Sequence, residues 1–553
     1  MSVTSDPAAE EGTPTYVTRF DGVRVPATDY QPVWVTNLAD DVTIEGSAMN
    51  GVVQGAEAVR SIVTYIRSLY DDQEFNFAGP YGENSFLEDY TAWVRGEQLG
   101  NVVLVTRNAA GQAQRVVANY RPRTTLLLVS RLVGEHFGRD PLRRALRLRR
   151  PRVTRGTSQE EHVAGRVVPF EVHIPQHELD DLRERLARTR WLDEFPGSGW
   201  SYGTSRRYLE ELCEYWRAEF DWRAYEARLN AFGQVAMDVD GQRIHAIHAR
   251  SPEPGALPLL LVHGWPGSVF EFEKVIEPLR DPRQHGGDAS DAFHVVCPSI
   301  PGYGFSGPTP GPGWNVRRSS AAFALLMQRL GYDRYGAAGG DWGAIITSDL
   351  LRSGAGTGVL GLYLTMPLGE PPEGSDDPEA GLRPSERQGL HDWTRHQAAG
   401  TVIHLPLNTT RPHTMAFAMN DSPAGLAAWL VDMYRSFSDC DGDVERCFTK
   451  DELLANVTTY WVTRTIASAA RLYAEWDEQK RTSARPPRVD VPTGCAIYPR
   501  DVRRVPRSWA ERLYFITHWT EMPAGGHFPA LEQPELFVAD LRAFFRHLRA
   551  HQG

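Results

Sequence analysis

The stretch Tyr335-Gly-Ala-Ala-Gly-Gly-Asp-Trp-Gly343 is an apolar strand running into small-x-Asp-x-small, and its reading decides the fold. A side chain that must stand free at the top of a sheet sits on a sharp strand-to-helix turn. The backbone closes there only when the neighbours are small. Gly339 and Gly343 flank Asp341, and the helix that follows turns its N-terminus toward the site, which favours a carboxylate. Taken alone, Asp341 reads equally well as a cap on that helix. A serine here would imply acyl transfer. An aspartate is ionised at neutral pH and can attack an electrophilic carbon to form an alkyl ester.

Working outward, Leu259–Val262, His294–Cys297, Tyr335–Ala338 and Val359–Thr365 are short apolar runs of the kind buried in a parallel sheet. Helical patterning at Ser319–Leu330 and Ala344–Arg352 separates them. The alternation predicts an α/β fold, an open parallel sheet with helices on both faces. Val235–Ile247 reads as a hairpin broken at Asp240-Gly241. Helices are predicted over Gln176–Ala187 and Ser205–Phe220 before it. Between residues 367 and 487 helices replace strands. An insertion there would lie as a lid over the strand C-termini, where such sheets place their sites. Cys495–Tyr498 and His518–Glu521 resume the sheet and Gln533–Leu548 closes it.

Three further motifs fall beside the Asp341 turn. Leu261-Val-His-Gly-Trp-Pro-Gly-Ser268 ends the first parallel strand. The amides of Trp265 and Trp342 then form a candidate oxyanion hole, and His263 is read as structural. Pro301-Gly-Tyr-Gly-Phe-Ser306 is read as a supporting loop. Gly525-Gly-His-Phe528 precedes the last helix. Chain order, the glycines and that helix single out His527 as the base among 17 histidines. A histidine base needs a carboxylate on its other nitrogen. Asp501 in Tyr498-Pro-Arg-Asp501 is the first choice, with Glu370, Asp376 and Asp377 as alternatives.

The 553 residues predict two or three domains. Residues 1–15 read as a disordered start and 16–137 as a small α+β domain, with helices at Ala56–Tyr70 and Leu126–Phe137 and strands Asn101–Arg107 and Gln114–Tyr120. An arginine-rich linker covers 138–166, an extension 167–233, the core 234–366 and 488–553, and the lid 367–487. The net charge of -11 argues against a nucleic-acid partner. No apolar run is long enough for a membrane span. The five scattered cysteines read as reduced thiols in a cytoplasmic protein without a metal site.

The motifs His263–Ser268, Pro301–Ser306, Gly339–Gly343, Asn420–Trp429 and Gly525–Glu535 together resemble the microsomal-type epoxide hydrolases, from about Val167 to the end. The resemblance implies an α/β-hydrolase core with a helical lid and a wrapping N-terminal extension. It implies Asp341 as nucleophile, Asp501 as charge partner and His527 as base, acting on a small-molecule epoxide and water, with no cofactor. The family's lid tyrosines hold the epoxide oxygen. One matches Tyr460; the place of the other is taken by His404, which with Trp461 and Phe528 is assigned to substrate binding. A bulky natural-product or xenobiotic epoxide is the expected substrate. Haloalkane dehalogenation, and a non-catalytic polyketide-binding protein that kept the fold, are the alternatives. Residues 16–137 resemble SnoaL-like α+β cones, as a binding or dimerising module, and a homodimer is an assembly left open.

Overall fold

The computed structural model describes residues 16–18, 24–26, 32, 34–46, 53–81, 84–94, 97–121, 129, 166–482 and 487–550. The chain divides into two compact units, Met1–Glu160 and Glu161–Gly553. Apart from Val129 and Arg166, the predicted helix at Leu126–Phe137 and the arginine-rich linker lie outside the described residues.

In the first unit, the strands Asp72–Pro80, Ser85–Val94, Glu97–Arg107 and Ala113–Arg121 form antiparallel neighbours within an eight-stranded sheet. Asn108 makes the last hairpin turn by accepting from the amides of Ala110 and Gln112 with its side-chain oxygen, both at 3.0 Å. The helix Ala56–Ser68 carries Val59, Ile62 and Ile66 at helical spacing on its buried face.

The second unit is built on a nine-stranded sheet. From one edge the order is Tyr514–Glu521, Val489–Ile497, Val359–Leu364, Tyr335–Gly339, Leu257–Val262, Phe293–Pro298, Gln242–Ala249, Gln234–Val239 and Val168–Pro169. The first six run parallel, and the hairpin and edge strand are antiparallel. The sheet is therefore mixed, where the alternation predicted a parallel one. The hairpin turn at Asp240-Gly241 reverses the chain before any crossover helix can intervene. The strands Val489–Ile497 and Tyr514–Glu521 also begin earlier than their apolar runs, because polar residues are tolerated near a sheet edge.

Helix Asp341–Arg352 packs on Val316–Arg329, and Pro534–Ala550 packs on Glu273–Arg280. The predicted helix over Ser205–Phe220 runs from Arg206 to Ala218, with the Ser205 side chain accepting from the Tyr208 amide. Helices Pro384–Ala398, His404–Thr410, Pro412–Asp421, Pro423–Phe437, Lys450–Thr463 and Ile466–Thr482 lie between strands Val359–Leu364 and Val489–Ile497. The extension clasps these helices. Trp216 Nε1 donates to Thr458 Oγ1 at 2.9 Å, Tyr215 to Asp451 at 2.9 Å and Thr204 to the Ala428 carbonyl at 2.7 Å. Among the described residues no helix is long and apolar enough to cross a membrane.

The close approach of helix to sheet explains Gly343. A Cβ there would strike the Val262 carbonyl, a backbone atom at the end of a central strand. Gly343→Ala is expected to destabilise the unit by about 3 kcal/mol. Thermal unfolding followed by circular dichroism would show a fall of several degrees in Tm; an unchanged Tm would contradict the packing.

Candidate functional site

Asp341 is the first residue of its helix and has φ 47°. A left-handed conformation at a non-glycine residue is strained, and here it lifts the carboxylate out of the helix line. The Trp265 amide donates to Asp341 Oδ1 at 2.8 Å, and the Trp342 amide also supports the charge. Gly264 leaves the room for this, since a Cβ on it would lie against Asp341. Burial pushes the Asp341 carboxyl above its usual range, against the pull of His527 and the two amides. The side chain keeps 23% of its surface open.

His527 Nδ1 is 2.8 Å from Asp501 Oδ1, and His527 Nε2 is 3.8 Å from Asp341 Oδ2. The ring is fixed from behind by the bond of its own amide to the Phe437 carbonyl at 2.9 Å. Burial alone would lower its pKa. The carboxylates of Asp501, Asp341 and Glu271 outweigh burial and raise it to about 9. Glu370, Asp376 and Asp377 lie on the outer part of the segment that follows strand Val359–Leu364, the last two of them exposed.

The other predicted residues divide. His263 is spent on backbone: Nδ1 lies 2.9 Å from the Gly264 carbonyl and Nε2 accepts from the Ile300 amide at 3.2 Å. Phe528 is buried and stacks on Tyr434 at 4.3 Å with its edge to His527, so it backs the imidazole. Trp461 lies under the Arg185 guanidinium of the extension, on the packing side of its helix. Both were expected at the substrate; their contacts are with protein. His404 is buried and stacks on Trp265 at 4.6 Å, and its Nδ1 has no hydrogen-bond partner. Burial and the nearby His527 charge lower its pKa to about 3, so it is a neutral imidazole.

Tyr460 differs from expectation. Its hydroxyl donates to the Gly267 carbonyl at 2.9 Å, and Asn456 on the same helix donates to the Pro266 carbonyl at 2.8 Å. Both side chains pin the lid to the Trp265 turn. Sequence reasoning missed Tyr473 on the next helix. Its ring meets Trp342 edge-on at 4.7 Å and His404 at 5.7 Å, and its buried hydroxyl closes no full hydrogen bond, with the Trp342 indole N–H as its polar neighbour. The available signal was a second tyrosine one lid helix further on, in Arg471-Leu-Tyr473.

The sequence model of the epoxide hydrolase N terminus matches residues 167–272, and that of the alpha/beta hydrolase fold matches 258–402. Epoxide hydrolase 1 of Oryctolagus cuniculus is 36% identical over 406 residues, 68% of this chain and 88% of the relative. The chain belongs to the epoxide hydrolase family. Juvenile hormone epoxide hydrolase 2 of Ctenocephalides felis is 32% identical over 411 residues, 70% of this chain and 87% of the relative. The solved structure of Aspergillus niger epoxide hydrolase superposes with a TM-score of 0.62 at 29% identity, covering 70% of this chain and 97% of that one. Juvenile hormone epoxide hydrolase from Bombyx mori gives 0.63 at 28% identity, covering 70% and 96%. Against that family background, the α/β-hydrolase core expected from the sequence is the core observed.

Because the Tyr460 hydroxyl closes a buried bond, its removal leaves the Gly267 carbonyl unpaired. Tyr460→Phe is expected to cost about 1–3 kcal/mol of stability, read as a lowered midpoint in urea. A midpoint equal to that of the parent protein would count against the brace.

Proposed function

We propose that this chain hydrolyses a small-molecule epoxide to a vicinal diol through a covalent ester on Asp341. The observation that carries this reading is the Asp341 carboxylate, held at φ 47° by the Trp265 amide with His527 Nε2 3.8 Å away. In the first step a carboxylate oxygen attacks one oxirane carbon, the C–O bond of the ring breaks, and the ring oxygen takes a proton. In the second, water attacks the ester carbonyl carbon of Asp341 and gives a proton to His527. The tetrahedral oxyanion is held by the amides of Trp265 and Trp342. Collapse breaks the bond between that carbon and the product oxygen, which takes the proton back from His527, and the proton left on the new Asp341 carboxyl replaces the one given to the ring oxygen as the diol leaves and Asp341 is restored. Asp501 steadies the imidazolium. None of these steps requires a metal or an organic cofactor.

For the donor to the ring oxygen we propose Tyr473, assisted by His404. The Tyr473 hydroxyl closes no full hydrogen bond beside the Trp342 indole, and His404 Nδ1 closes none beside Trp265, whereas the Tyr460 hydroxyl is engaged. The aromatic side chains of Trp265, Trp342, Tyr473 and Phe437, packed about Asp341 and His527, favour an apolar epoxide. For the first unit we propose a small-molecule-binding module of the SnoaL-like kind. Its support is a cavity lined by Asn101, Tyr70 and Tyr90, in which Asn101 donates to Tyr90 at 2.6 Å.

Asp341→Asn, assayed as freshly purified protein with styrene oxide, is expected to lose diol formation at least about 10⁴-fold; full activity would remove Asp341 from its role. Tyr473→Phe is expected to slow ester formation about 10²-fold or more, and Tyr460→Phe far less. Quenched-flow mass spectrometry of the ester separates them, and the reverse ranking would return the role to Tyr460. The sign of the pH dependence follows from His527, which acts as a base only when neutral. Its pKa of about 9 includes support from the Asp341 charge, which the ester removes. Ester hydrolysis should therefore accelerate as pH rises from 5 to 8, and a rate that falls over that range in single-turnover measurements would count against His527 as the base.

A further inference from the structure

One buried ionisable group beside the site has no part in the reaction as described. Glu271 lies in the short turn Val269–Phe272, immediately after the Trp265 segment, with 8% of its surface exposed. Its carboxyl occupies the space beside Gly267, where a Cβ would come within 2.7 Å of Glu271 Oε2. The Gly264 amide supports the same carboxyl, and a Cβ on Gly264 would strike Asp341. One residue's thickness of backbone thus separates the Glu271 carboxyl from the nucleophile. The charges that reach it are those of His527, Asp341 and Glu532, and it influences the phenols of Tyr434 and Tyr460 in turn.

Burying a carboxyl costs several kcal/mol unless it is paired, and no cation of the described residues forms an ion pair with Glu271. Burial raises its carboxyl to about 8, against the opposing pull of His527 and the Gly264 amide. A leucine or glutamine would fill the turn at lower cost. The placement makes sense when a second polar contact is needed next to the imidazole. His527 Nδ1 is committed to Asp501, and its Nε2 stands 3.8 Å from Asp341, beyond hydrogen-bond range. A water held by Nε2 alone would be free to swing about that one bond.

We propose that Glu271 positions the hydrolytic water, its carboxyl oxygen accepting one O–H while His527 Nε2 takes the other. This rests on the reading of Asp341 as the ester-forming nucleophile. The water oxygen attacks Asp341 Cγ, its proton moves to Nε2, and the second O–H stays on Glu271 throughout. No net proton reaches Glu271, so a group with a carbonyl acceptor suffices. Glutamine retains that acceptor and leucine does not.

The test uses the full-length chain, styrene oxide as probe, and rapid-quench mass spectrometry of the Asp341 peptide. Glu271→Leu is expected to form the ester within about twofold of the parent rate, to hydrolyse it about 10²-fold more slowly, and to accumulate it. Glu271→Gln should recover most of the hydrolysis rate. Hydrolysis unchanged in Glu271→Leu would overturn the proposal and leave the Asp341 ester standing. So would equal losses in both steps together with a lowered Tm in both variants, the signature of a turn that has merely collapsed. If no ester forms in the parent protein while diol still appears, the nucleophile reading fails instead, and the role of Glu271 falls with it.

Discussion

The hydrogen bond from the Trp265 amide to Asp341 Oδ1 is the contact around which the site is arranged. A carboxylate in an aromatic interior is costly, and burial accordingly drives Asp341 toward its protonated form. Its charge is retained by the Trp265 and Trp342 amides and the His527 imidazole. Each of those donors depends on something further out. The Trp265 amide can reach Asp341 because Gly264 has no side chain. The Trp342 amide is aimed by the left-handed turn at Asp341 and by Gly343, which lets the helix touch the Val262 carbonyl. The imidazole is aimed by Asp501 and by the bond to the Phe437 carbonyl. Backbone donors do not reorient in solvent, so the site is organised before a substrate arrives.

The lid divides its work between two consecutive helices. Lys450–Thr463 braces the turn that carries Trp265, through Asn456 and Tyr460. Ile466–Thr482 presents Tyr473 with its hydroxyl unsatisfied beside Trp342. The extension holds this arrangement from outside, since Trp216 and Tyr215 bond to the same helix that braces the turn. Displacement of the extension would therefore loosen the Trp265 segment without touching a single reacting group.

The core and the Asp341, His527 and Asp501 set were legible because their constraints are local. Glycines that permit a sharp bend, an apolar run that ends at it, and the chain order of acid and base can all be read along one dimension. Tyr460 and Tyr473 could not be separated that way. Both lie on lid helices and both are buried, and only the partner of each hydroxyl tells them apart. That partner, the Gly267 carbonyl in one case and no more than the neighbouring Trp342 indole in the other, is fixed by how two helices rotate against the sheet. Trp461 lies next to Tyr460, and one step along a helix turns a side chain through about 100°, here toward Arg185 of the extension. Glu271 left no mark in sequence because a glutamate following a strand end is ordinarily solvated. Its meaning comes from Gly267, whose missing side chain admits the carboxyl.

The charge balance of the site also orders the two steps of the proposed reaction. In the free protein His527 is surrounded by the carboxylates of Asp341 and Asp501, and its raised pKa keeps it protonated near neutrality. A protonated imidazole cannot accept a proton from water, but it does hold Asp341 ionised, which is the form that attacks. Ester formation neutralises Asp341 and so withdraws one of the charges that kept the proton on His527. Losing that charge lowers the imidazole pKa and shifts the ring toward the neutral form that can accept a proton. The base is thus withheld while the nucleophile needs a counter-charge and released when the ester needs water.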